Sequence, residues 1–305
     1  MNKLLISIAC IFFSIIMMFS CSKGNTPTVN DEITTPPDDT VDINPPAKTH
    51  FVTCLSYNIL GSDDVLSIPP AKIKAPYIAE QIKSFNTDII CIQEARMNSY
   101  DWRVDLTSRL ASDGTYGVCT FYDETGVSQT LVNGLMIFYK TESFELVEKG
   151  GQLYQGIQNG KRGFVWVKLR DKENGKTVFA VNTHWSINRD SANNDSPQAG
   201  ALDRQRESAQ LLEFLKTKVG NEALFACGDF NCNKTSEWFL SLSSDIYHDG
   251  AVLLNKKLDQ KIIHCFINPN AARIVNYEFF SQKFTYDGTE FRYSDHDPLF
   301  VRVEY

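Results

Sequence analysis

Residues 293–305 read YSDHDPLFVRVEY. Leu299, Val301 and Val303 fall on one side of this stretch, the alternation of a half-buried strand. Immediately ahead of it stand Ser294, Asp295, His296 and Asp297. Four earlier apolar runs finish on the same kinds of side chain: LSYN at Asn58, IICIQE at Glu94, FAVNTH at Asn182 and His184, and LFACGDFN at Asp229 and Asn231. A core strand has no need of an amide, carboxylate or imidazole at its end. Five strands delivering them to one rim of a layered sheet build a single polar site.

The intervening sequence supplies the frame. Strand-like runs occupy 51–57, 88–93, 115–121, 134–139, 163–169, 177–183, 223–227, 262–267 and 299–304. GFVWVKL and TVFAVNTH are separated by RDKENGK, whose Asn174-Gly175 marks a hairpin turn. Segment 72–85 carries Ile78, Ile82 and Phe85 on one helical face, and 201–219 carries Leu212, Leu215 and Val219. Strands alternating with helices, mixed with hairpins, indicate a mixed α/β layered domain.

The first twenty residues belong to none of this. Lys3 precedes a mostly apolar, uncharged run from Leu4 to Phe19, the pattern of a secretory signal. Phe19-Ser20-Cys21 closes it and resembles a bacterial lipoprotein cleavage box, which implies that Cys21 is lipidated. Residues 21–49 then hold five of the eleven prolines and no aromatic residue, too little apolar surface to order a fold, so they read as a tether. Residues 50–305 are the expected folded domain. The expectation is a monomer, exported and anchored by its N-terminal lipid alone to a bacterial membrane, facing the periplasm or the cell surface.

Of the net charge of −7, the tether carries −3 and the signal +1, leaving −5 on the domain. That balance disfavours a dedicated nucleic-acid binder, which shows a basic footprint. Of eight cysteines, Cys54, Cys91 and Cys227 lie inside apolar runs, where a thiol acts as a small hydrophobe, and none shows C-x-x-C spacing. The expectation is mostly reduced thiols with room for one incidental bridge.

The donors at the strand ends are oxygens. Glu94, Asp229, Asp295, Asn58 and Asn231 suit Mg²⁺, or Mn²⁺, and zinc would ask for more His or Cys. Asp229 and Asn231 lie two apart and face the same way in an extended segment, so a carboxylate and an amide address one substrate group. A hard cation, a poised base and several amide or imidazole donors describe phosphate-ester hydrolysis. A serine triad in YSDHD is excluded on direction: adjacent residues point to opposite faces, and no G-x-S-x-G elbow occurs.

LSYNIL, DIICIQEAR, VNTHWS, CGDFNCN and YSDHDPLFV, in this order, resemble the endonuclease/exonuclease/phosphatase superfamily, from about Phe51 to the C-terminus. The resemblance implies a four-layer α/β sandwich, two mixed sheets packed face to face with helices outside. It implies Glu94 as the principal metal ligand with Asn58 beside it, and Asp295 as a further metal-site carboxylate. Asp229 matches the residue that orients or deprotonates the attacking water. Asn231 and His184 match phosphate-facing groups, His296 an acid/base or phosphate-polarising histidine, and Asn182 a supporting residue. One metal or two stays open.

One position departs from the pattern. The strand KIIHCFI places Ile263 where relatives carry an Asp that pairs with the histidine of the last motif. Asp259 and Asp287 are the candidate replacements. Without one, His296 is a weaker acid/base, which keeps open a catalytically weak, lipid-anchored phosphate-ester binding protein of the same fold. Arg162 reads either as a basic residue near the cleft or as a loop charge, and Trp185 either as a stacking surface or as core. The substrate is a phosphate ester: nucleic acid, phospholipid headgroup or sugar phosphate.

Overall fold

Two six-stranded sheets carry the domain. The computed structural model describes residues 50–63, 67–97, 99–128, 134–158, 160–188, 197–233, 242, 247–258 and 261–305. The expected signal, the tether and Cys21 lie outside these residues, as do Asp259 and Arg189.

The first sheet is built on β1 (Phe51–Asn58), buried over its last five positions. It is joined by β2 (Ile89–Gln93), β3 (Tyr116–Thr120), β4 (Met136–Lys140), β11 (Arg273–Phe279) and β14 (Leu299–Glu304), in the order β11-β14-β1-β2-β4-β3. The second contains β5 (Phe144–Leu153), β6 (Gly163–Asp171), β7 (Thr177–His184), β8 (Ala223–Asp229), β9 (His248–Asp249) and β10 (Ile263–Ile267), in the order β5-β6-β7-β8-β10-β9. A separate hairpin pairs β12 (Lys283–Tyr286) with β13 (Thr289–Arg292).

Three apolar clusters separate the layers. Alternate residues of both sheets, among them Val52, Ile137, Val165, Val178, Phe225 and Val301, form the cluster between them. The opposite face of the first sheet packs on α1 (Ala71–Phe85) and α2 (Trp102–Ala111) through Ile78, Ile82, Trp102 and Leu106. The opposite face of the second packs under α4 (Pro197–Phe214) through Phe179, Leu211 and Leu224. This is the four-layer α/β sandwich. Short α3 (Phe121–Thr125) and α5 (Gly250–Leu253) connect strands.

Four sulfurs meet between the sheets. Cys54 Sγ lies 3.7 Å from Cys227 Sγ, which lies 3.0 Å from Cys265 Sγ, and Cys91 completes the group with Cys54 and Cys227. All six described cysteines are buried, and none is in a disulfide.

Strand direction decides where the polar ends go. β1 and β2 are parallel, with Asn58 opposite Gln93, and β7 and β8 are parallel, with His184 opposite Asp229. β14 runs antiparallel to β1 with Leu299 opposite Ser56, so the segment ahead of β14 lies where β1 ends. One rim therefore collects all five motifs.

Several elements give weaker signals in sequence. β5 is an edge strand bearing Glu148, Lys149, Gly150 and Gly151. Its glycines are required by packing: a Cβ on Gly150 would stand 2.8 Å from the Trp166 ring. Helix α2 buries only the narrow stripe Trp102, Leu106 and Leu110, and its start is marked by a cap, where the Asp101 carboxylate accepts from Val104 N–H at 3.1 Å. The expected helix 201–219 ends as α4 followed by a π-turn, Leu215–Val219, closed at Gly220 with φ 59°.

Candidate active site

Asn58 ends β1 buried between two carboxylates from different sheets. Its Nδ2 donates to Glu94 Oε1 at 3.1 Å and to Asp229 Oδ2 at 2.9 Å. Its Oδ1 accepts from Leu60 N–H at 3.0 Å, which fixes the orientation of the amide. Asn58 therefore stands as a bridge between carboxylates, with its oxygen already engaged.

Glu94 follows β2 with φ 63°, a left-handed backbone that is costly for a residue with a Cβ. The turn is wedged in place: a Cβ on Gly61 would fall 1.7 Å from the Glu94 carbonyl oxygen, and one on Gly134 would fall 2.2 Å from Ala95 backbone. Strain held by such packing aims the carboxylate at the rim. Its second oxygen accepts from Arg96 at 2.6 Å.

Asp229, 1% exposed, is the centre of the site. Its Oδ2 lies 3.8 Å from His184 Nε2 and 3.6 Å from His296 Nε2. Its Oδ1 accepts from Asn231 N–H at 3.0 Å. Asn231, at φ 49°, donates its side-chain amide to Trp185 O at 2.8 Å. Asp295 lies at the outer edge, its Oδ1 3.8 Å from His296 Nε2, with 45% of its side chain exposed.

The two histidines differ in setting. His184 is buried, and burial, reinforced by Arg162, Arg96 and His296, pushes its pKa well below the usual imidazole range, so it is a neutral ring at pH 7. Its Nδ1 has no protein partner. His296 is 20% exposed at the mouth. Ser294, 1% exposed, holds the approach to β14: its hydroxyl donates to Asn58 O at 2.7 Å, and the oxygen accepts from His296 N–H at 3.2 Å. That use leaves Ser294 no role as a nucleophile.

Asn182 stands one pleat below the rim. Its amide donates to Ile92 O at 2.7 Å and Met136 O at 2.9 Å, and its oxygen accepts from Gln93 Nε2 at 2.7 Å. It stitches the two sheets together beneath the site and touches none of the other candidates. Trp185 is core, its indole edge-on to Phe230 and its Nε1 donating to Tyr154 at 3.2 Å.

Position 263 is apolar in structure as in sequence: Ile263 lies opposite Asp229 across β10 and β8 and packs in the central core. Asp287 sits in the β12–β13 turn with φ 49°. The carboxylates facing the His296 ring among the described residues are Asp229 and Asp295. Asp297 accepts from Lys261 and Arg292, each at 3.0 Å.

Three cations stand at the site, of which the sequence singled out Arg162 alone, as either a cleft or a loop charge. Arg162 is fully buried and donates to His184 O at 3.0 Å and Trp185 O at 2.6 Å, fixing the end of β7. Lys74 of α1 donates to Leu60 O at 2.5 Å, and burial lowers it to about 8 against the pull of Asp63, Asp295 and Glu94. Arg96 completes the set. A second buried support is Glu207 of α4, which accepts from Ser186 N–H at 2.9 Å and Ser186 Oγ at 2.8 Å.

A layered sheet pair with carboxylates, amides and imidazoles gathered at one rim defines a phosphoesterase-type architecture. Residues 55–302 match the Endonuclease/Exonuclease/phosphatase family, and the chain belongs to that family. It is 26% identical over 197 residues to the CCR4-Not complex 3'-5'-exoribonuclease subunit Ccr4 of Candida glabrata, covering 57% of this chain and 22% of that protein. The chain thus spans under a quarter of that relative's length. An endonuclease/exonuclease/phosphatase family protein of Bacteroides thetaiotaomicron superposes with TM-score 0.66 at 19% identity, over 85% of this chain and 99% of that one. A mannosyl-6-phosphatase of the same organism superposes with TM-score 0.63 at 18% identity, over 83% and 99%. These two likenesses show the shared fold.

Proposed function

We propose that this protein hydrolyses phosphate esters with the help of Mg²⁺ or Mn²⁺. The observation that carries the reading is the convergence on Asp229: Asn58 ties it to Glu94 while His184 and His296 face its Oδ2.

The donor set fits a hard divalent ion. Two carboxylates from different sheets share one amide hydrogen-bond donor, Asp295 stands at the edge, and no thiol is among them. Glu94 and Asp295 are the residues that would hold it, with Asn58 setting the Glu94 orientation. A bound cation there supplies Lewis-acid neutralisation of phosphoryl charge.

The chain's own residues supply the rest. Asp229, screened from bulk water, orients the attacking water and receives its proton. Asn231 fixes Asp229 through its backbone N–H and belongs on the phosphoryl side. His184, as a neutral imidazole, donates a hydrogen bond without adding charge. His296, at the mouth, donates to a phosphoryl oxygen or the leaving group. Arg162 and Asn182 position β7, and Arg96 neutralises part of the acidic cluster.

A diester is favoured over a monoester because the site presents several neutral donors. Purified protein with Mg²⁺ or Mn²⁺ is expected to cleave bis-p-nitrophenyl phosphate, and EDTA or Asp229→Ala to abolish cleavage. Equal rates for the variant would remove the assignment. The binding-protein reading draws on Ile263, which leaves His296 with no carboxylate beyond Asp229 and Asp295, both already assigned other roles. It predicts that phosphate esters bind with metal and stay uncut.

A further inference from the structure

The segment that follows β1 is held by side chains of the outer helical layer. Leu60 stands at φ 49°, a left-handed backbone that a residue with a Cβ adopts only where its surroundings impose it. Its N–H donates to Asn58 Oδ1 at 3.0 Å, and its carbonyl accepts from Lys74 Nζ at 2.5 Å. Lys74 belongs to α1 and is fully buried. One residue on, the Gly61 carbonyl accepts from the Trp102 indole of α2 at 3.2 Å. The Trp102 backbone N–H donates to Arg96 O at 3.1 Å, just past the strained turn of Glu94. Lys74 Nζ lies 5.8 Å from the centre of the Trp102 ring, so the two supports stand side by side. Burying an ammonium costs far more than burying a methionine of similar length, so packing alone gives no reason for a lysine here. Its bond to Leu60 does.

We propose that Lys74, with Trp102 beside it, is a positioning residue for the cation site: it holds Leu60 so that Asn58 presents Nδ2 to Glu94 and Asp229 together. The inference rests on the phosphoesterase reading and extends the site into the helices behind the rim. The chain of bonds is short. It runs from Lys74 Nζ to Leu60 O, from Leu60 N–H to Asn58 Oδ1, and from Asn58 Nδ2 to both carboxylates. Without the first link the Leu60 peptide is free to leave its left-handed conformation, and the N–H that fixes the Asn58 amide turns away with it. A flipped amide would aim Oδ1 at two carboxylates, which repel it. Position and charge make opposite forecasts for Lys74. Asp63, Asp295 and Glu94 all act on its ammonium, so as a bare charge it would oppose a divalent cation, and removing it would tighten metal binding. As the holder of Leu60 it does the reverse. The direct, charge-assisted bond prevails over an action that runs through space.

Lys74→Met keeps the length of the side chain and removes both donor and charge. Calorimetric affinity for Mn²⁺ is expected to fall by about tenfold in this variant. On bis-p-nitrophenyl phosphate at saturating Mn²⁺, kcat is expected to fall by about 10- to 100-fold, with KM within about twofold of wild type. Lys74→Arg keeps a cationic donor and is expected to recover most of both losses, a pattern that general destabilisation does not produce. Circular dichroism at the assay temperature confirms that the variants are folded. Should Lys74→Met not fold, Trp102→Phe keeps an aromatic ring, removes the donor to Gly61, and is expected to weaken Mn²⁺ by about threefold or more. Unchanged or tighter Mn²⁺ binding in the folded variant, or no recovery in Lys74→Arg, would overturn the positioning role and leave the hydrolase standing. Weakened binding that arginine restores, in a protein that cleaves no bis-p-nitrophenyl phosphate, would overturn the hydrolase and leave the positioning role standing.

Discussion

Asn58 and Asp229 meet across the two sheets, Nδ2 to Oδ2, at 2.9 Å, and the same nitrogen holds Glu94 at 3.1 Å. One neutral amide thus separates two carboxylates that would otherwise repel. Asn58→Asp places a third acid there. The expected result is a loss of roughly 100-fold in kcat/KM on bis-p-nitrophenyl phosphate and of about 2–4 kcal/mol in unfolding free energy. Kinetics and urea unfolding check both; a fully stable, active variant would refute the bridging role.

His184 and His296 face one oxygen of Asp229. His296→Ala is expected to lower kcat by about 10²- to 10⁴-fold, the range for a positioned acid. Because both rings act at the same carboxylate, the double His184→Ala/His296→Ala variant should lose less than the product of the single losses. Strictly multiplicative losses would show that they act independently.

Glu207 makes stability depend on pH. Burial raises its carboxyl from 4.5 to about 7, opposed by Arg162 and Ser186. Its folded-state preference for the proton stabilises fully below pH 4.5 and is lost as pH rises through about 7. Glu207→Gln mimics the protonated form. At pH 8 it should be more stable than wild type by roughly 2–3 kcal/mol, with the gain vanishing near pH 4. Denaturant midpoints at both pH values provide the measurement.

The thiols between the sheets should be silent in the native protein. Cys54 and Cys227 are fully buried, and burial raises both pKa values well above the free thiol. An aromatic disulfide reagent is expected to label none of the six described cysteines in native conditions and all of them in guanidinium. Rapid native labelling would contradict the packing.

The lipid anchor read at Cys21 has its own assay. Cells producing the full chain should incorporate labelled fatty acid into it, and Cys21→Ser should abolish that label while the catalytic domain still hydrolyses ester in extracts. Unchanged labelling would reject the site.

The rim was legible because strands end there. Asn58, Glu94, Asp229 and the SDH triplet each interrupt an apolar run, and an interruption at a strand end needs no knowledge of distant contacts. Asn182 shows the limit of that logic. It shares the face of His184 two residues on, yet sits one pleat deeper, where its amide satisfies carbonyls of the facing sheet. Lys74 and Glu207 were invisible for another reason, and Arg162 could be read only as either a cleft or a loop charge. Their burial is set by loops and helices far away in sequence, and a single charge in an amphipathic segment has no periodic signature. The β5 edge was hidden because charges and glycines replace alternation on a strand with only one neighbour.

The first strand of the domain is flanked by the last, with Phe51 opposite Glu304. During synthesis, β1 therefore waits for β14 before its second hydrogen-bonding edge is filled, and the SDH segment directly precedes that strand. A chain lacking β14 has His296 but no finished first sheet to hold the SDH segment at the rim. Closing the first sheet and seating His296 are thus one event, and a truncation that removes β14 is expected to forfeit both.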